Sequence, residues 1–283
     1  MNAPLTPPLI IGHRGAAAVA PENTLVSFAR AFADGADGIE FDVRLARDQV
    51  PVVIHDATLE RTASRRPHVS ALTSVELGAT DVGTWFNRRY PARARPDFSA
   101  ECVPTLELVL LTFGSRSKRL YVELKHEPGE DFASLVSETV RLTRSLSLIS
   151  RVVVESFALE VVGEVKRLAP EIRTAALFER TLARPVRPAR SMVAAALYAR
   201  ADELALHRSL VRERVVRAAR LAGLEALVWT VDSPAWIARA RRHGLSALIT
   251  NQPARMRAAL EATRQSLTLE AATSHDRRRN LNP

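Results

Sequence analysis

The chain has a single cysteine, Cys102, in 283 residues, so an intrachain disulfide is excluded and nothing points to an oxidising compartment. No run of about 18 apolar residues occurs. The opening stretch, Met1 to Pro8, carries no basic residue and too short an apolar core for a signal peptide. A cytoplasmic protein without an integral membrane segment is therefore the expectation. Aromatic residues are scarce, at 5%, and of the 40 basic side chains only Lys118, Lys125 and Lys166 are lysines. A net charge of +9 and a pI near 10.7 would suit an anionic polymer. With so few rings there is little for bases to stack on. The arginine clusters (Arg88, Arg89, Arg93, Arg95; Arg184, Arg187, Arg190; Arg277 to Arg279) also form no uninterrupted basic stripe. Nucleic acid is set aside, and the charge is read as general attraction for small anionic substrates.

What is present is a core-forming composition, 47% hydrophobic and 25% charged, with no low-complexity block through the middle. At 283 residues one large barrel or two small domains would fit. The order of elements chooses between them. Strand-like runs at Leu9 to His13, Gly38 to Arg44, Leu120 to Lys125, Val152 to Ser156, Thr174 to Phe178, Glu203 to His207, Ala226 to Val231 and Ala247 to Thr250 alternate with amphipathic segments of helix length. Leu25, Phe28, Ala29 and Phe32 recur at helical spacing, as do Phe132, Leu135, Val136 and Thr139. This alternation predicts a closed α/β structure, a (β/α)8 barrel of TIM type. A further run, Val50 to His55, is read as the return arm of a hairpin that folds at Arg47, Asp48 and Gln49. Its expected register pairs Val43 with Ile54 and Leu45 with Val52, which sets Asp42 opposite His55. From Ala57 to about Val103 the periodicity fails. This stretch is expected to be a small insertion subdomain on the active face, with Trp85 and Phe86 at its tip. Barrel and insertion together are expected to occupy residues 1–265, with a disordered polar tail over 266–283.

In such a barrel the C-terminal strand ends and the loops after them build the active site. His13 and Arg14 end the first strand beside Gly15, and Pro21-Glu22-Asn23-Thr24 precedes the first helix. The second strand puts Glu40 and Asp42 on one face and Ile39, Phe41 and Val43 on the other, and in the third Glu123 and Lys125 alternate with Val122 and Leu124. Carboxylates pointing the same way repel unless positive charge lies between them. Glu40, Asp42 and Glu123 suffice for a hard divalent cation, Mg2+ or Ca2+, with positions left for phosphate oxygens and water. Arg14 as a bidentate donor and Lys125 as a point charge can take up the remaining phosphate charge.

The motifs His13-Arg14-Gly15, Pro21-Glu22-Asn23-Thr24, Glu40-Phe41-Asp42-Val43, His55-Asp56 and Glu123-Leu124-Lys125, in this order, resemble the glycerophosphodiester phosphodiesterase family. Asp81-Val82-Gly83-Thr84-Trp85-Phe86 and Pro104-Thr105-Leu106 resemble its insertion and the helix after it, and Val154-Glu155-Ser156-Phe157 and Val228-Trp229-Thr230-Val231-Asp232 its later strands. The resemblance implies Glu40, Asp42 and Glu123 as metal ligands and His13 and His55 as the acid–base pair. It implies Arg14 and Lys125 as phosphate contacts and Trp229 on the glycerol side of the pocket. The implied reaction is hydrolysis of a deacylated phospholipid such as glycerophosphocholine to glycerol 3-phosphate and an alcohol, with the substrate's neighbouring hydroxyl as nucleophile and a cyclic phosphate between the two halves. A monomer or homodimer is the implied state.

Two positions depart from the family pattern, and the role of a third residue, His207, is open. Leu245-Ser246-Ala247-Leu248 replaces the usual run before the last strand, a structural difference. Glu155 stands where a neutral amide is common, and either pairs with an arginine or adds a fourth carboxylate to the site. His207 ends a strand and either touches substrate or is a hydrogen-bonded structural residue. Two rival activities are carried forward: lysophospholipase D-like hydrolysis of substrates that keep an acyl chain, for which Trp85 and Phe86 would provide apolar contact, and a non-catalytic anion-binding barrel.

Overall fold

Residue alternation along parallel strands decides the shape of the molecule. In the computed structural model, which describes residues 7–127, 131–180 and 188–279, nine strands form one sheet. They are β1 (Leu9–His13), β2 (Gly38–Leu45), β3 (Pro51–Val53), β4 (Arg119–Leu124), β5 (Val152–Ser156), β6 (Arg173–Phe178), β7 (Glu203–His207), β8 (Glu225–Trp229) and β9 (Ala247–Thr250). All pairings are parallel except β2 with β3, and β1 pairs with both β9 and β2, so the sheet closes on itself. β3 hangs outside as an extra arm on β2. The remaining eight strands make the expected (β/α)8 barrel. Met1 to Thr6, and Arg184 and Arg187 of the basic clusters, lie outside the described residues, as do the side chains of Arg277 to Arg279.

Inward positions fill the barrel with Ile11, Tyr121, Val153, Ala175, Leu177, Ala205, Leu227, Ala247 and Ile249. Outward positions meet the helices. α1 (Leu25–Ala33) is started by Thr24, whose hydroxyl accepts from Ser27 N–H, and it buries Phe28 and Ala31 against Phe41. Phe28 and Phe41 are fully buried, and each such side chain stabilises the layer by roughly 1.5–3 kcal/mol. The insertion supplies three short helices, α2 (Glu60–Ala63), α3 (Ser74–Gly78) and α4 (Thr84–Arg89). The outer layer then continues with α5 (Leu106–Phe113), α6 (Phe132–Ser145), α7 (Leu159–Leu168), α8 (Ala189–Tyr198), α9 (Glu213–Leu221), α10 (Ala235–His243) and α11 (Pro253–Arg279). Among the described residues no helix is long and apolar enough to cross a membrane. α11 is anchored to the core by Met256 and Leu260.

Two expectations are corrected. The β2–β3 register is one residue tighter than expected, with Val43 opposite Val53 and Leu45 opposite Pro51. Gln49 adopts a left-handed backbone with φ of 64° and closes a three-residue tip, because Ala46 N–H already bonds Val50 O at 3.0 Å. Asp42 therefore lies opposite Ile54, whose N–H donates to its carbonyl, and His55 follows one position later. The second correction concerns the aromatic pair. Phe86 is fully buried among Phe98, Tyr90 and Ala20, so it is core of the insertion and not a tip over the barrel mouth. Trp85 packs on it and lines a separate cleft with Thr62, Arg65, Thr80 and Arg88.

The closed end of the barrel carries its own charge anchor. Asp37 accepts from Ile10 N–H at 3.0 Å and pairs with Lys118 at 2.8 Å and Arg257 at 2.6 Å, tying β1, β4 and α11 together. Burial opposes its ionisation, but the Ile10 N–H and the two cations hold its carboxyl below the usual range. A depressed carboxylate contributes stability that is present above its ordinary pKa and fades as pH falls through the lowered value. Asp37→Asn is expected to cost roughly 1–3 kcal/mol at neutral pH. In urea unfolding followed against pH, the gap to the parent protein should close below about pH 4. A gap independent of pH would mean that the loss is one of packing.

Candidate active site

The loop after β1 is shaped to place two side chains at the mouth. Arg14 and Gly15 both have positive φ, 49° and 88°. A Cβ on Gly15 would lie 2.4 Å from Ser27 Oγ, so only glycine lets the loop rest on α1. Ser27 Oγ then donates to Arg14 O at 2.9 Å, and Arg14 N–H donates to Glu40 Oε2 at 3.1 Å. Asn23, itself at φ 58°, donates from Nδ2 to Asp42 Oδ2 at 2.8 Å.

Parallel pairing brings the carboxylates together. Asp42 sits opposite Glu123 across β2 and β4, and Glu123 opposite Glu155 across β4 and β5. One oxygen from each of Glu40, Asp42 and Glu123 lies within 4.8 Å of the others, and all three side chains are buried. Lys125 Nζ lies 2.8 Å from Asp42 Oδ1 and 2.6 Å from Glu123 Oε1, and Arg14 Nε lies 3.0 Å from Asp42 Oδ2. The two contacts to Asp42 are ionic rather than directed hydrogen bonds, which leaves Asp42 Oδ1 and Arg14 Nε without aligned partners. Burial works against Asp42, yet Arg14 and Lys125 hold its carboxyl well below the usual carboxylate range. Glu40 goes the other way. Burial, then Asp42 and Glu123, push it well above the usual range, and burial pushes Glu123 up to about 7. Two cations are too few for this many buried carboxylates. An all-oxygen donor set whose Asp42 Oδ1 is held only by the ionic contact to Lys125 fits a hard divalent ion.

The two histidines line the same cavity with different partners. His13 Nδ1 is 2.7 Å from Asn251 Oδ1, and Asn251 Nδ2 donates to Asp232 Oδ2 at 3.0 Å. Because a carboxylate only accepts, the amide must turn its oxygen to His13, so Nδ1 carries the proton and Nε2 keeps the lone pair. Nε2 lies 3.9 Å from Glu40 Oε2. Burial, aided by Arg14, lowers His13 to about 4, which keeps it neutral. His55 Nδ1 instead meets Asp56 Oδ1 at 2.6 Å. Burial lowers its pKa, with Asp42 and Asp56 opposing.

A cavity of about 380 Å³ at the C-terminal mouth collects these groups. His13, Arg14, Glu40, His55, Glu123, Lys125 and Trp229 all line it, and Asp42 lies beneath as a fully buried support. Glu155, Phe157 and Glu179 line the cavity as well, with Phe157 and Trp229 packed edge to face at 5.5 Å. Glu155 has no arginine partner among the described residues, and its Oε2 is buried without a hydrogen bond, so it is the fourth carboxylate of the site. Burial, Glu40 and Glu123 push it well above the usual range. His207 donates or accepts at Ser209 Oγ, 2.8 Å away, and packs on Trp229, outside the cavity lining. Sequence reasoning missed Asn251 and Glu179. Each is two residues beyond an inward-facing strand residue, Ile249 and Leu177, so carrying the strand alternation past the strand end would have found both.

The chain matches the model of the glycerophosphoryl diester phosphodiesterase family over residues 13–255. It is similar to the glycerophosphodiester phosphodiesterase of Bacillus subtilis (strain 168), 32% identical over 256 residues, covering 87% of this chain and 84% of the relative. Among solved structures it is similar to the glycerophosphodiester phosphodiesterase from Agrobacterium tumefaciens str. C58, with TM-score 0.73, 28% identity and coverage of 89% of this chain and 99% of the other. It also has the fold of an Oleispira antarctica phosphodiesterase solved in complex with the product sn-glycerol-3-phosphate, at TM-score 0.79, 24% identity and coverage of 90% and 97%. With this match across most of its length and the closed barrel beneath it, the chain belongs to the glycerophosphoryl diester phosphodiesterase family and is a hydrolase of phosphoric diesters.

Proposed function

We propose that the chain hydrolyses glycerophosphodiesters to glycerol 3-phosphate and an alcohol, using His13 as base, His55 as acid and one divalent cation, Mg2+ or Ca2+, held by Glu40, Asp42 and Glu123. The observation that carries this reading is the convergence of all these groups on one cavity. When bound, the cation supplies charge stabilisation for the phosphoryl oxygens. Arg14 and Lys125 face the same cavity and bind the phosphate, and Trp229 with Phe157 packs against the glycerol carbons.

Local partners support the division of labour between the histidines. His13 faces a neutral amide, and its free Nε2 takes the proton of the attacking hydroxyl on the substrate. His55 faces a carboxylate, and Asp56 stabilises the imidazolium that gives its proton to the leaving alkoxide. The bond from phosphorus to the leaving oxygen breaks as the new one forms. The resulting cyclic phosphate is opened by water with the two roles reversed. The glycerol 3-phosphate bound to the Oleispira antarctica enzyme agrees with this product. Burial of Phe86 removes half of the apolar contact on which a preference for acylated substrates rested.

The test is product analysis on a panel of glycerophosphodiesters and lysophospholipids with added Mg2+ or Ca2+. Glycerol 3-phosphate is expected from the deacylated diesters. Release of an acylated glycerol phosphate as the faster product would replace this reading with the lysophospholipase D-like one.

A further inference from the structure

One arginine of the insertion uses all three of its nitrogens at the edge of the site. Arg61, on α2, donates from Nη1 and Nη2 to the two oxygens of Glu22, at 2.9 and 2.7 Å, and from Nε to Asp56 Oδ2 at 2.6 Å. Glu22 Oε1 also accepts from Arg14 at 2.8 Å, and Asp56 Oδ1 meets His55 Nδ1 at 2.6 Å. Behind the guanidinium lies the Trp85 ring, with its centroid 5.8 Å from the guanidinium carbon. A chain of contacts thus runs from the insertion through one side chain to both His55 and Arg14. Glu22 and Asp56 are two partly buried carboxylates with no other shared cation among the described residues. Arg61 holds them together, and burial notwithstanding it keeps both below their ordinary range.

We propose that Arg61 is a positioning residue, a clamp by which the insertion fixes the His55 ring through Asp56, with Glu22, which Arg14 also holds, anchoring the other edge of the Arg61 guanidinium. The inference rests on the reading of His55 as the acid. Its chemistry requires arginine, since a planar fork with five donors can satisfy two carboxylates at once and an ammonium cannot do so in the same geometry. It also separates the clamp from an ordinary surface ion pair. The Arg61 side chain is 41% exposed, so as a mere salt bridge it would add little to stability and nothing to the chemistry.

The experiment uses the full chain with Mg2+ and compares Arg61→Ala and Arg61→Lys on glycerophosphocholine and on a glycerol p-nitrophenyl phosphodiester. Misalignment of the acid is expected to lower kcat on the choline ester by about 10- to 100-fold, and on the activated ester by less than about 3-fold. The melting temperature should move by less than about 3 °C. Arg61→Lys should regain little of the lost rate, and it carries the test if Arg61→Ala does not fold. In a His55→Ala background, Arg61→Ala should add less than about 2-fold, because the group it positions is gone. Equal losses on both esters, full activity of Arg61→Lys, or additive losses in the double variant would each overturn the clamp. If His55→Ala alone loses equally on both esters, the acid assignment fails separately. The clamp is then judged on the double variant, where non-additivity keeps it and additivity removes it.

Discussion

His55→Ala is expected to lose about 10² to 10⁴ in rate on glycerophosphocholine and far less on a p-nitrophenyl phosphodiester. The asymmetry comes from the leaving groups. An alkoxide needs a proton as the bond to phosphorus breaks, whereas p-nitrophenolate departs without one, so only the natural ester depends heavily on a general acid. His55 is the candidate because Asp56, 2.6 Å from its Nδ1, favours the protonated ring. His13→Ala should lose heavily on both substrates. Its Nε2 is the free nitrogen of a ring held by Asn251 and Asp232, so it is built to accept a proton whatever group leaves. Steady-state kinetics of the two variants on the two esters decide the matter. The opposite pattern exchanges the roles, and equal small losses throughout remove the pair from the mechanism.

Exhaustive chelation should lower turnover at least about 10²-fold, with full recovery on adding back Mg2+ or Ca2+, since phosphoryl charge stabilisation by a metal amounts to several kcal/mol. The acidic cluster adds a second, independent signature. Glu40 is held well above the usual range and Glu123 near 7 by burial and by the neighbouring carboxylates. A cation binds the ionised forms, so binding near neutrality must release protons, and affinity should climb as pH rises through about 7. The stability sign follows. A carboxyl raised in the folded state contributes stability below its ordinary pKa and loses it as pH rises through the raised value. The chelated protein should therefore lose melting temperature as pH climbs from the ordinary carboxylate range of about 4 to 4.5 through about 7, and the ion should reverse that loss. Calorimetric metal titration in buffers of different ionisation enthalpy, with thermal scans of the chelated protein, measures both effects. Undiminished turnover after chelation, or binding without proton release, would take the cation out of this cluster.

The sequence by itself determined the barrel and most of the charged groups at its mouth. Strand periodicity does not depend on distant contacts: Ile39, Phe41 and Val43 must share one face and Glu40 and Asp42 the other, wherever the strand lies. Parallel strands in an α/β pattern then leave the carboxylates no place but the interior, and His13 and Arg14 no place but a strand end. Tertiary structure decided what each group is bonded to. Whether Asp42 faced His55 or Ile54 depended on one left-handed residue, Gln49, at a hairpin tip, and no periodicity encodes that. Whether Phe86 touched substrate or filled a core depended on Phe98, Tyr90 and Ala20 closing around it. Glu155 depended on the folded chain, in which no arginine among the described residues reaches it. The partners that distinguish two chemically identical imidazoles, Asn251 with Asp232 for one and Asp56 with Arg61 for the other, come partly from the far end of the chain and partly from the insertion. Hydrogen bonding is directional and short in range, so only the folded positions of these atoms settle which ring nitrogen holds its proton.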